Sequence, residues 1–414
     1  MKGIFVILDG APDEPCSKLN DKTPLEYSKT PNLDYFASRG DIYNCFPIAE
    51  GIAPQSSSGL VSLFGADFRD YSRGVLESIG AGIHLNEGDL ALRINFATID
   101  NLNNMKLIDR RAGRTLTNKE AIELAEAVNS KLKLPFKFEL IHTVGHRGVL
   151  VFRGVFSDKV TNVDPSYSDG LSVENAGEIV EFSKPKDNSN KSRLTSDLLN
   201  TFIRKSYVIL ENHPINIIRK KKGFFPANFL LCRDAGIGLI KDYKLRGSWI
   251  GFGYMPLEIG VAKVFGMRVS SFNMPSMEKE DFYNHVEQNL DRAITKSVEM
   301  IQTNSEIIDY FYIHFKETDL PGHDNKPFQK VKFIELIDKK FFGYLRSLSV
   351  NFRLLVTSDH TTSCRAKSHT SHSVPVLFYE GDHLKSSNKR FIEKDGLKGK
   401  TFMGRQLLRK TLFL

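Results

Sequence analysis

The 414-residue sequence is poor in cysteine and contains no long hydrophobic run. Its four cysteines are scattered without a CxxC pair, which argues against a disulfide framework or a zinc knuckle and is typical of a reducing cytoplasm. No apolar segment approaches the roughly 18 residues that a membrane span needs. The N-terminal run MKGIFVILDG ends in Asp-Gly rather than in a small-residue cleavage site, so we interpret it as a first strand and not as a signal peptide. These absences predict a cytoplasmic protein that makes no use of a membrane.

The net charge of +8 is spread along the chain rather than concentrated. Apart from the short cluster Arg219–Lys222, the basic residues are dispersed, and there is no basic tail. This distribution permits nucleic-acid binding, but it also fits arginines that serve a polyanionic small molecule, which is the interpretation we favour. The length predicts two domains, or one domain with a large insertion.

Short apolar runs alternate with amphipathic segments along much of the chain, which predicts an α/β fold. Gly3–Leu8, Ile307–Phe315 and Leu354–Val356 have the pattern of buried strands, and the run that starts at Val374 has it again. Helical spacing of apolar residues predicts helices over Pro31–Arg39, Asn118–Lys133, Leu194–Leu210, Pro256–Gly266, Lys279–Thr303 and Gln329–Ser347. In open α/β sheets ligands collect outside the carboxyl ends of the strands, so the residues that follow these strands are the candidates for a site.

Carboxylates and imidazoles stand in those positions. Asp9 follows the first strand, and Asp319 and His323 follow the second at a spacing that lets one turn present both to one ion. Four more candidates lie between the last two strands: Asp359, His360, His369 and His372. Such residues suit divalent metals, and their number suits two ions rather than one. A polar loop with solvated histidines is the alternative.

Three consecutive serines, Ser56 to Ser58, precede an amphipathic run that begins at Gly59. A hydroxyl at the start of a helix lies near free backbone N–H groups and the positive end of the helix dipole, which suits a group that accepts a phosphoryl group. Plain N-capping is the alternative, and it is the commoner role of serine at this position.

From about Ala81 the pattern changes to alternating strands, turns and arginines, which predicts an α+β insertion. We predict a discontinuous core formed by residues 1–80 and 237–414, with an inserted lid domain at 81–236. Arginines at strand ends and turns suit bidentate capture of phosphate or carboxylate, although most arginines in any chain are solvated surface residues.

Several sequence blocks together carry a resemblance to a known family. They include ILDG, KTPLEYSKTPNLDYFASRG, PIAEGIAPQSSSG, LNEGDLALRINFATID, IDRRAGR, HRGVLVFRG, NHPIN, TDLPGHD, SDHTT and KSHTSHSVPVL, and they run through nearly the whole chain. The sequence resembles the archaeal-type 2,3-bisphosphoglycerate-independent (cofactor-independent) phosphoglycerate mutases of the alkaline phosphatase superfamily. The resemblance implies an alkaline-phosphatase-like α/β core, with a central, mostly parallel sheet flanked by helices, and an inserted α+β domain. It also implies that 3-phosphoglycerate and 2-phosphoglycerate are interconverted, in glycolysis and gluconeogenesis.

The resemblance implies roles for single residues as well. One metal ion would be held by Asp319, His323 and His369, and the second by Asp9, Asp359 and His360 with the hydroxyl of Ser56. Ser56 would accept the phosphoryl group to form a phosphoserine, with Ser57 as the alternative nucleophile. The implied substrate-binding residues are Arg111, Arg114, Arg219 and Arg233. The cofactors would be two divalent ions, with manganese favoured over magnesium, cobalt and zinc, and 2,3-bisphosphoglycerate would not be needed. His372 does not fall on a ligand position of the family.

The nucleophile loop departs from the family pattern. It contains Gln-Ser-Ser-Ser-Gly-Leu where the family usually has Gly-Ser-Asp-Thr-Ala-His, and Ser166 stands where an Asp-Pro-His triplet would end in histidine. These departures bear on the substrate and the rate more than on the fold. A metal-dependent phosphatase that uses the same serine on a related phosphorylated acid or sugar is therefore the alternative function. The expected partner is a small phosphorylated molecule, with no nucleic acid and no membrane, and both a monomer and a homo-oligomer remain open.

Overall fold

The computed structural model describes residues 1–168, 171–172, 178–238, 243–272, 282–381 and 387–411. In this part of the chain the strands form one large and one smaller sheet, and two short hairpins lie beside them. None of the helices described combines the length and hydropathy that crossing a membrane requires.

The strands and helices are numbered in chain order. The strands are β1 (Gly3–Leu8), β2 (Asp41–Phe46), β3 (Leu90–Ile99), β4 (Leu107–Asp109), β5 (Phe138–His142), β6 (Arg147–Phe152), β7 (Tyr167–Ser168), β8 (Leu171–Ser172), β9 (Phe229–Ile237), β10 (Trp249–Phe252), β11 (Arg268–Ser270), β12 (Tyr310–Phe315), β13 (Arg353–Thr357), β14 (Thr361–Ser363), β15 (Ser368–Thr370), β16 (Val374–Tyr379) and β17 (Thr401–Met403). The α-helices are α1 (Pro24–Tyr27), α2 (Pro31–Arg39), α3 (Ser56–Leu63), α4 (Arg73–Gly80), α5 (Asn118–Lys131), α6 (Asn190–Glu211), α7 (Pro214–Lys221), α8 (Pro256–Val264), α9 (Phe282–Asn304), α10 (Leu320–His323), α11 (Pro327–Ile337), α12 (Gly343–Ser347), α13 (Glu393–Gly396) and α14 (Leu407–Lys410). Single turns of 3₁₀-helix cover Ser17–Leu19, Phe68–Asp70, Ala112–Arg114 and Gly404–Gln406, and a π-helical turn covers Asp338–Phe342.

The large sheet has eight strands in the order β11-β10-β12-β1-β13-β16-β2-β17. All neighbouring strands are parallel except β16, which runs antiparallel to both β13 and β2. Every residue of β1 is buried, because this central strand has hydrophobic clusters on both faces. The predicted α/β class with a mostly parallel sheet flanked by helices is therefore confirmed.

The register of the central strands determines which residues lie side by side at their carboxyl ends. Leu8 of β1 pairs with Phe315 of β12, and Ile7 pairs with Thr357 of β13. The three strands therefore end nearly level, and the segments that begin at Asp9 and Lys316 leave the sheet at the same edge. The parallel register brings together residues that are more than three hundred positions apart in the sequence.

The smaller sheet is antiparallel and has five strands, in the order β4-β3-β6-β5 with β9 on the other side of β3. Helices α5 and α6 cover one face and share a hydrophobic core with β3, β6 and β9. All of these elements lie between residues 90 and 237, and the segment predicted as the insertion, 81–236, contains them except for the last residue of β9. The exact domain boundaries remain a prediction.

Helix α4 lies between the two sheets. Close to its end, a Cβ atom on Gly80 would lie 1.7 Å from the carbonyl oxygen of Pro256, so α4 and α8 approach backbone to backbone. On its other side, a Cβ atom on Gly74 would lie 2.4 Å from the carbonyl oxygen of Asp234 in β9. Glycine is needed at both contacts because no side chain fits there. Helix α4 therefore packs against α8 of the large sheet on one side and against the smaller sheet on the other.

Most of the predicted elements are present, with altered ends. The predicted strand Ile307–Phe315 begins at Tyr310, and the helix predicted over Lys279–Thr303 is described from Phe282 onward, since residues 279–281 lie outside the described residues. The single helix predicted over Gln329–Ser347 is wrong in detail. It consists of α11, a π-helical turn and α12, because the buried Asp338 accepts backbone N–H bonds from Asn32 and Leu33 where a regular helix would continue.

Candidate metal centre

The carboxyl ends of β1, β12 and β13 carry the candidate ligands. Asp9 follows β1 directly, and Asp319 precedes the one-turn helix α10, which ends with His323. His360 follows β13, and the hairpin of β14 and β15 then folds back so that His369 pairs with Thr362. Parallel strands and one tight hairpin therefore bring all the predicted ligands to one place.

Three of the predicted ligands form a compact group, which we call cluster A: Asp319, His323 and His369. The Nε2 atoms of His323 and His369 are 3.2 Å apart. The Asp319 carboxylate approaches the same two atoms at 3.3 Å from His323 and 3.6 Å from His369. These nitrogen and oxygen atoms therefore lie close together, and their role as ligands of one metal ion stays a prediction.

The remaining predicted ligands form cluster B: Asp9, Asp359, His360 and Ser56. His360 Nε2 lies 3.1 Å from Asp9 Oδ1, 3.4 Å from Asp359 Oδ2 and 3.2 Å from Ser56 Oγ. Asp9, Asp359 and His360 are completely buried. Ser56 is the first residue of α3, so its hydroxyl lies at the positive end of that helix.

The two clusters adjoin each other. The rings of His360 and His369 stack with their centroids 3.6 Å apart. A grouping by mutual distance alone also places His360 with Asp319 and His369, and His314 with Asp9 and Asp359, each with donor atoms within 4.8 Å of one another. The site is therefore one continuous set of carboxylates and imidazoles with room for two adjacent positions.

Hydrogen bonds fix the tautomers of the two cluster A histidines. His323 Nδ1 lies 2.9 Å from the carbonyl oxygen of Lys367, and His369 Nδ1 lies 2.7 Å from that of Pro54. Because a carbonyl oxygen only accepts, each Nδ1 carries the proton and each Nε2 keeps its lone pair. Both lone pairs then belong to the atoms that converge on Asp319, which is the arrangement found in metal-binding histidines.

The hydroxyl of Thr362 fixes the third histidine and links the two clusters. It donates to Asp319 Oδ1 at 2.7 Å and lies 2.9 Å from His360 Nδ1. Since its one proton goes to the carboxylate, it accepts from His360 Nδ1–H, and Nε2 of His360 keeps its lone pair as well. Burial and the nearby His369 lower the pKa of His360 to about 4, so the imidazole is neutral at pH 7.

The donor set fits divalent cations. Burial and the charges of Asp9 and Asp319 raise the pKa of Asp359 well above its ordinary value. Asp9 Oδ1 and Asp359 Oδ2 are buried and receive no hydrogen bond from the described residues, which is costly for carboxylates unless a cation compensates them. Donor atoms around a four-coordinate ion at about 2.1 Å are separated by roughly 3.4 Å, and the measured separations in clusters A and B run from 3.1 to 3.6 Å.

Besides Thr362, the sequence analysis missed Lys316, Glu258 and His314 in this site. The ammonium group of Lys316 contacts Asp9 and lies 3.1 Å from Glu258, and His314 Nε2 lies 3.2 Å from Asp9 Oδ2. Burial alone would raise the pKa of Asp9, but the ammonium group of Lys316 and the hydrogen bond from His314 hold it well below its ordinary value. A signal for Lys316 was present, because it follows β12 directly, just as Asp9 follows β1.

The three serines have different roles in the structure. Gln55 is the N-cap residue of α3, and Ser58, at the third helical position, belongs to its capping box: the Ser58 hydroxyl accepts from the backbone N–H of Gln55 and donates to the Gln55 carbonyl oxygen. Ser56 is the serine that faces His360. A Cβ atom on Gly59 would lie 2.3 Å from the carbonyl oxygen of Asp359, so α3 packs directly on the backbone that carries this ligand. A serine therefore takes part in capping α3, although the N-cap itself is Gln55, and the functional role of Ser56 stays a prediction.

Arg219 does not reach the site. It is 2% exposed, and its guanidinium donates to the carbonyl oxygens of Ala112, Thr115 and Phe225 and to Glu120. The N–H groups of the Arg219 guanidinium therefore donate within the part of the chain that forms the smaller sheet, which we call the smaller domain. We correct its predicted substrate-binding role to one of holding the loop that carries Arg111 and Arg114.

Arg233 is also committed inside the protein. It is 3% exposed, lies 2.7 Å from the Asp164 carboxylate and donates to Asn95. Asp164 simultaneously receives Arg110. The predicted contact of Arg233 with substrate is therefore corrected to a positioning role, because a guanidinium so buried and paired does not exchange its carboxylate for a ligand without a large cost.

Arg111 and Arg114 belong to a strained turn on the smaller domain. Ala112, Gly113 and Arg114 have φ values of 46°, 70° and 55°, and Asp109 Oδ1 accepts from the backbone N–H groups of Arg111 and Gly113. Arg114 lies 3.7 Å from Asp324, the residue after the ligand His323. This turn therefore connects the smaller domain to cluster A, and strain of this kind is concentrated at functional sites.

A basic region surrounds His146 on the same domain. Burial, together with the positive charges of Arg147, Arg111, Arg233 and Arg114, lowers the pKa of His146 well below its ordinary value. Burial and neighbouring arginines also lower the pKa of Arg147 to about 10. Arg147, the first residue of β6, is not among the substrate-binding residues predicted from the sequence. Such a concentration of like charges suits an anionic ligand.

Comparisons with known proteins agree with this architecture. Residues 37–216 match a family model described as 2,3-bisphosphoglycerate-independent phosphoglycerate mutase. A protein of that name from Aeropyrum pernix is 34% identical over 440 aligned residues, which cover 100% of this chain and 99% of the relative. Another from Thermococcus kodakarensis is 35% identical, with 96% of this chain and 93% of the relative covered.

Two solved structures resemble this one over almost their whole length. The PH0037 protein from Pyrococcus horikoshii has 28% sequence identity and a TM-score of 0.76, with 99% of this chain and 96% of that chain covered. The cofactor-independent phosphoglycerate mutase from Thermoplasma acidophilum has 26% identity and a TM-score of 0.58, with 100% and 99% covered.

Proposed function

The chain belongs to the 2,3-bisphosphoglycerate-independent phosphoglycerate mutase family, and on that premise we propose that it interconverts 3-phosphoglycerate and 2-phosphoglycerate through a phosphoserine at a two-metal site. The observation that carries the proposal is the position of the Ser56 hydroxyl, 3.2 Å from His360 Nε2, within a buried set of carboxylates and imidazoles. We also propose a cytoplasmic place in glycolysis and gluconeogenesis, which the four unpaired cysteine thiols suit.

Cluster A would hold one divalent ion and cluster B the other, with manganese as the favoured metal. When bound, the ions polarise the phosphoryl oxygens and make the serine hydroxyl more acidic. The chain's own contribution is to hold the donors in place. The hydrogen bonds to Lys367, Pro54 and Thr362 keep each Nε2 lone pair directed at the site.

Ser56 would act as the nucleophile. A bond forms between Ser56 Oγ and phosphorus while the bond between phosphorus and the O3 oxygen of 3-phosphoglycerate breaks, and the serine proton ends on the glycerate hydroxyl. The glycerate then reorients, its O2 hydroxyl takes the phosphoryl group, and Ser56 recovers its proton. Lys316, beside Asp9, places a positive charge next to this centre and helps to balance the phosphoryl oxygens.

The smaller domain would hold the rest of the substrate and exclude water. The basic region around His146, with Arg111, Arg114 and Arg147, suits the carboxylate of phosphoglycerate. The contact of Arg114 with Asp324 brings this region to the edge of cluster A. Water must be kept out, because it would otherwise hydrolyse the phosphoserine.

Phosphorus NMR tests the proposal directly. Purified protein is incubated with 3-phosphoglycerate and Mn²⁺, and the expected product is 2-phosphoglycerate. Release of inorganic phosphate alone would support the alternative phosphatase, and an unchanged spectrum would contradict both enzymes. Ser56→Ala should abolish turnover while leaving Mn²⁺ binding largely intact, whereas Ser57→Ala should keep most of the activity. Activity in Ser56→Ala would assign the nucleophile to another residue.

A further inference from the structure

A second basic site lies at the end of the large sheet where the parallel strands begin, opposite the candidate metal centre. A surface pocket of about 480 Å³ surrounds the ring of Tyr35, and we call it the Tyr35 pocket. Its lining includes the basic residues Arg39, Arg346, Lys389 and Arg390 and one acidic residue, Asp34. The pocket therefore has a clear excess of positive charge.

Among the described residues, three of these four cations have no acidic partner. Arg390 lies 2.9 Å from the Asp34 carboxylate and also donates to backbone carbonyl oxygens. Within the part of the chain that the structure describes, Arg39, Arg346 and Lys389 form no ion pair with a carboxylate. Like charges held together without counter-ions repel one another, and a bound anion would relieve this repulsion.

The guanidinium groups of Arg39 and Arg346 lie against an aromatic ring, and Arg39 also donates to the Tyr35 carbonyl oxygen and the Ser38 hydroxyl. The Cζ atoms of Arg39 and Arg346 lie 3.9 Å and 4.4 Å from the centroid of Tyr35. Tyr35 packs edge-to-face on Phe36 at 5.4 Å, and Phe36 packs on Tyr379 at 5.1 Å. Contact with a ring anchored in this way restricts where both guanidinium groups lie, so binding an anion there orders fewer rotatable bonds.

The pocket is separate from the metal centre. Arg39 ends α2, just before β2 begins at Asp41, and Arg346 lies in α12, before β13 begins. The pocket therefore lies where the parallel strands start, whereas the metal centre lies where they end. Strands of five or six residues separate the two edges by roughly 17–20 Å, so one small ligand does not reach both.

We propose that the Tyr35 pocket is a second anion site that binds a chain of two or more phosphate groups. The two guanidinium groups offer paired N–H donors that match phosphate oxygens. The third cation, Lys389, adds a point charge, and the side chains of Ser38, Ser387 and Asn388 line the same pocket. Pyrophosphate and the phosphate chain of a nucleotide both have this chemistry.

Calorimetry with defined anions tests the proposal. The Mg²⁺-loaded protein is titrated with pyrophosphate and with ATP, at equal free Mg²⁺ in cell and syringe. The double variant Arg39→Gln/Arg346→Gln should bind pyrophosphate at least tenfold more weakly than the wild type. The matched control Arg193→Gln/Arg292→Gln removes two exposed arginines elsewhere and should bind like the wild type. Similar affinities for pyrophosphate and ATP identify the phosphate chain as the ligand, and a preference for ATP adds a contact with the nucleoside.

Two further variants distinguish loss of the Tyr35 pocket from poor folding and from binding near the metal centre. Lys389→Gln changes one exposed side chain at the rim and should weaken pyrophosphate binding even if the double variant folds poorly. Arg111→Gln alters the basic region near the metal centre and should leave this binding event unchanged. Wild-type affinity in Arg39→Gln/Arg346→Gln, or loss of the binding event in Arg111→Gln, would overturn the assignment.

Discussion

The hydroxyl of Thr362 connects the two halves of the metal centre. It accepts from His360 of cluster B and donates to Asp319 of cluster A, at 2.9 Å and 2.7 Å. Thr362→Val removes both hydrogen bonds while keeping the shape of the side chain. Loss of such an outer partner weakens metal binding by about 10–100-fold. Titration calorimetry with Mn²⁺ should show this loss at both binding steps.

Thr362→Ser provides the matched control, since it keeps the hydroxyl. It should recover Mn²⁺ affinity to within a few-fold of the wild type. If the valine variant binds both ions as tightly as the serine variant, the hydroxyl does not position the ligands, and its hydrogen bonds are incidental to metal binding.

Single residues of the site could be predicted where position in the sequence reflects position in the sheet. Asp9 was identifiable because it directly follows a buried apolar run, and Asp319 with His323 because of their spacing. Thr362 was not, since its role depends on a hairpin that brings β15 back onto β14. Arg219 and Arg233, which the sequence analysis placed at the substrate, are buried against partners in the structure, and a sequence does not show whether an arginine is buried in this way or available to a ligand.

Helix α4 owes its position to a buried carboxylate. Glu77 is 5% exposed and lies 2.8 Å from Arg73 in its own helix and 2.9 Å from Arg93 in β3. Burial alone would raise its pKa, but Arg93 and Arg73 lower it to about 2. Its charge therefore stabilises the fold above the ordinary glutamate pKa of 4.5, and this contribution is lost as the pH falls from there towards 2.

Glu77→Gln should therefore destabilise the protein in a pH-dependent manner. Breaking a buried pair costs about 3–5 kcal/mol, so urea unfolding at pH 7 should show a loss of that order. The difference from wild type should shrink as the pH is lowered below the glutamate pKa, because the wild type then loses the same charge. Glu87→Gln, at an exposed glutamate, should show no such difference. If Glu77→Gln lowers the free energy of unfolding by the same amount at pH 7 and pH 3.5, the charge of Glu77 is not the cause of the loss.

The contact of α4 with α8 depends on a second glycine. A Cβ atom on Gly260 would lie 1.8 Å from the carbonyl oxygen of Leu76, so Gly260→Ala forces the helices apart. Overpacking of this kind costs about 1–3 kcal/mol, and thermal unfolding should show a lower Tm. In contrast, Gly343→Ala meets its nearest atom at 3.5 Å and lies in a helix, where alanine is favoured, so its Tm should stay equal or rise. A Gly260→Ala variant as stable as the wild type would show that the helices adjust freely.

Among the elements, long periodic segments were predictable and short ones were not. The strand Gly3–Leu8 and the helix Pro31–Arg39 were predicted with correct ends, because a continuous apolar run and a Pro–Gly frame mark them. Helix α4 and strand β10 were missed, since each is short and its sequence contains glycine. Their stability comes from tertiary contacts, which local sequence patterns do not report.

At the scale of the whole molecule, two sheets with different architectures meet beside the candidate metal centre. The large sheet carries the candidate metal ligands, and the smaller domain carries the basic region around His146. The sequence indicated this division through the change from buried parallel strands to alternating ones. It did not indicate how the domains meet. In the structure they meet through α4, and again where Arg114 lies 3.7 Å from Asp324.

The contact between Arg114 and Asp324 should influence whether the phosphoserine is transferred to glycerate or hydrolysed. Both side chains are partly exposed, and such pairs contribute only about 0.2–1 kcal/mol. If the contact favours the closed arrangement of the domains, Arg114→Gln opens the site to water by roughly 1.4- to 5-fold. Phosphorus NMR of the reaction with 3-phosphoglycerate should then show a matching rise in inorganic phosphate relative to 2-phosphoglycerate.

Asp324→Asn separates this effect from a loss of substrate binding. It removes the same ion pair but leaves Arg114 free to contact the substrate, so it should raise the fraction hydrolysed without a large change in KM. Arg114→Gln should raise both the fraction hydrolysed and the KM if the arginine also holds the substrate carboxylate. If neither variant changes the ratio of inorganic phosphate to 2-phosphoglycerate, this contact does not control the access of water. Exclusion of water would then depend on the contacts made by α4, which hold the smaller domain against the large sheet from the other side.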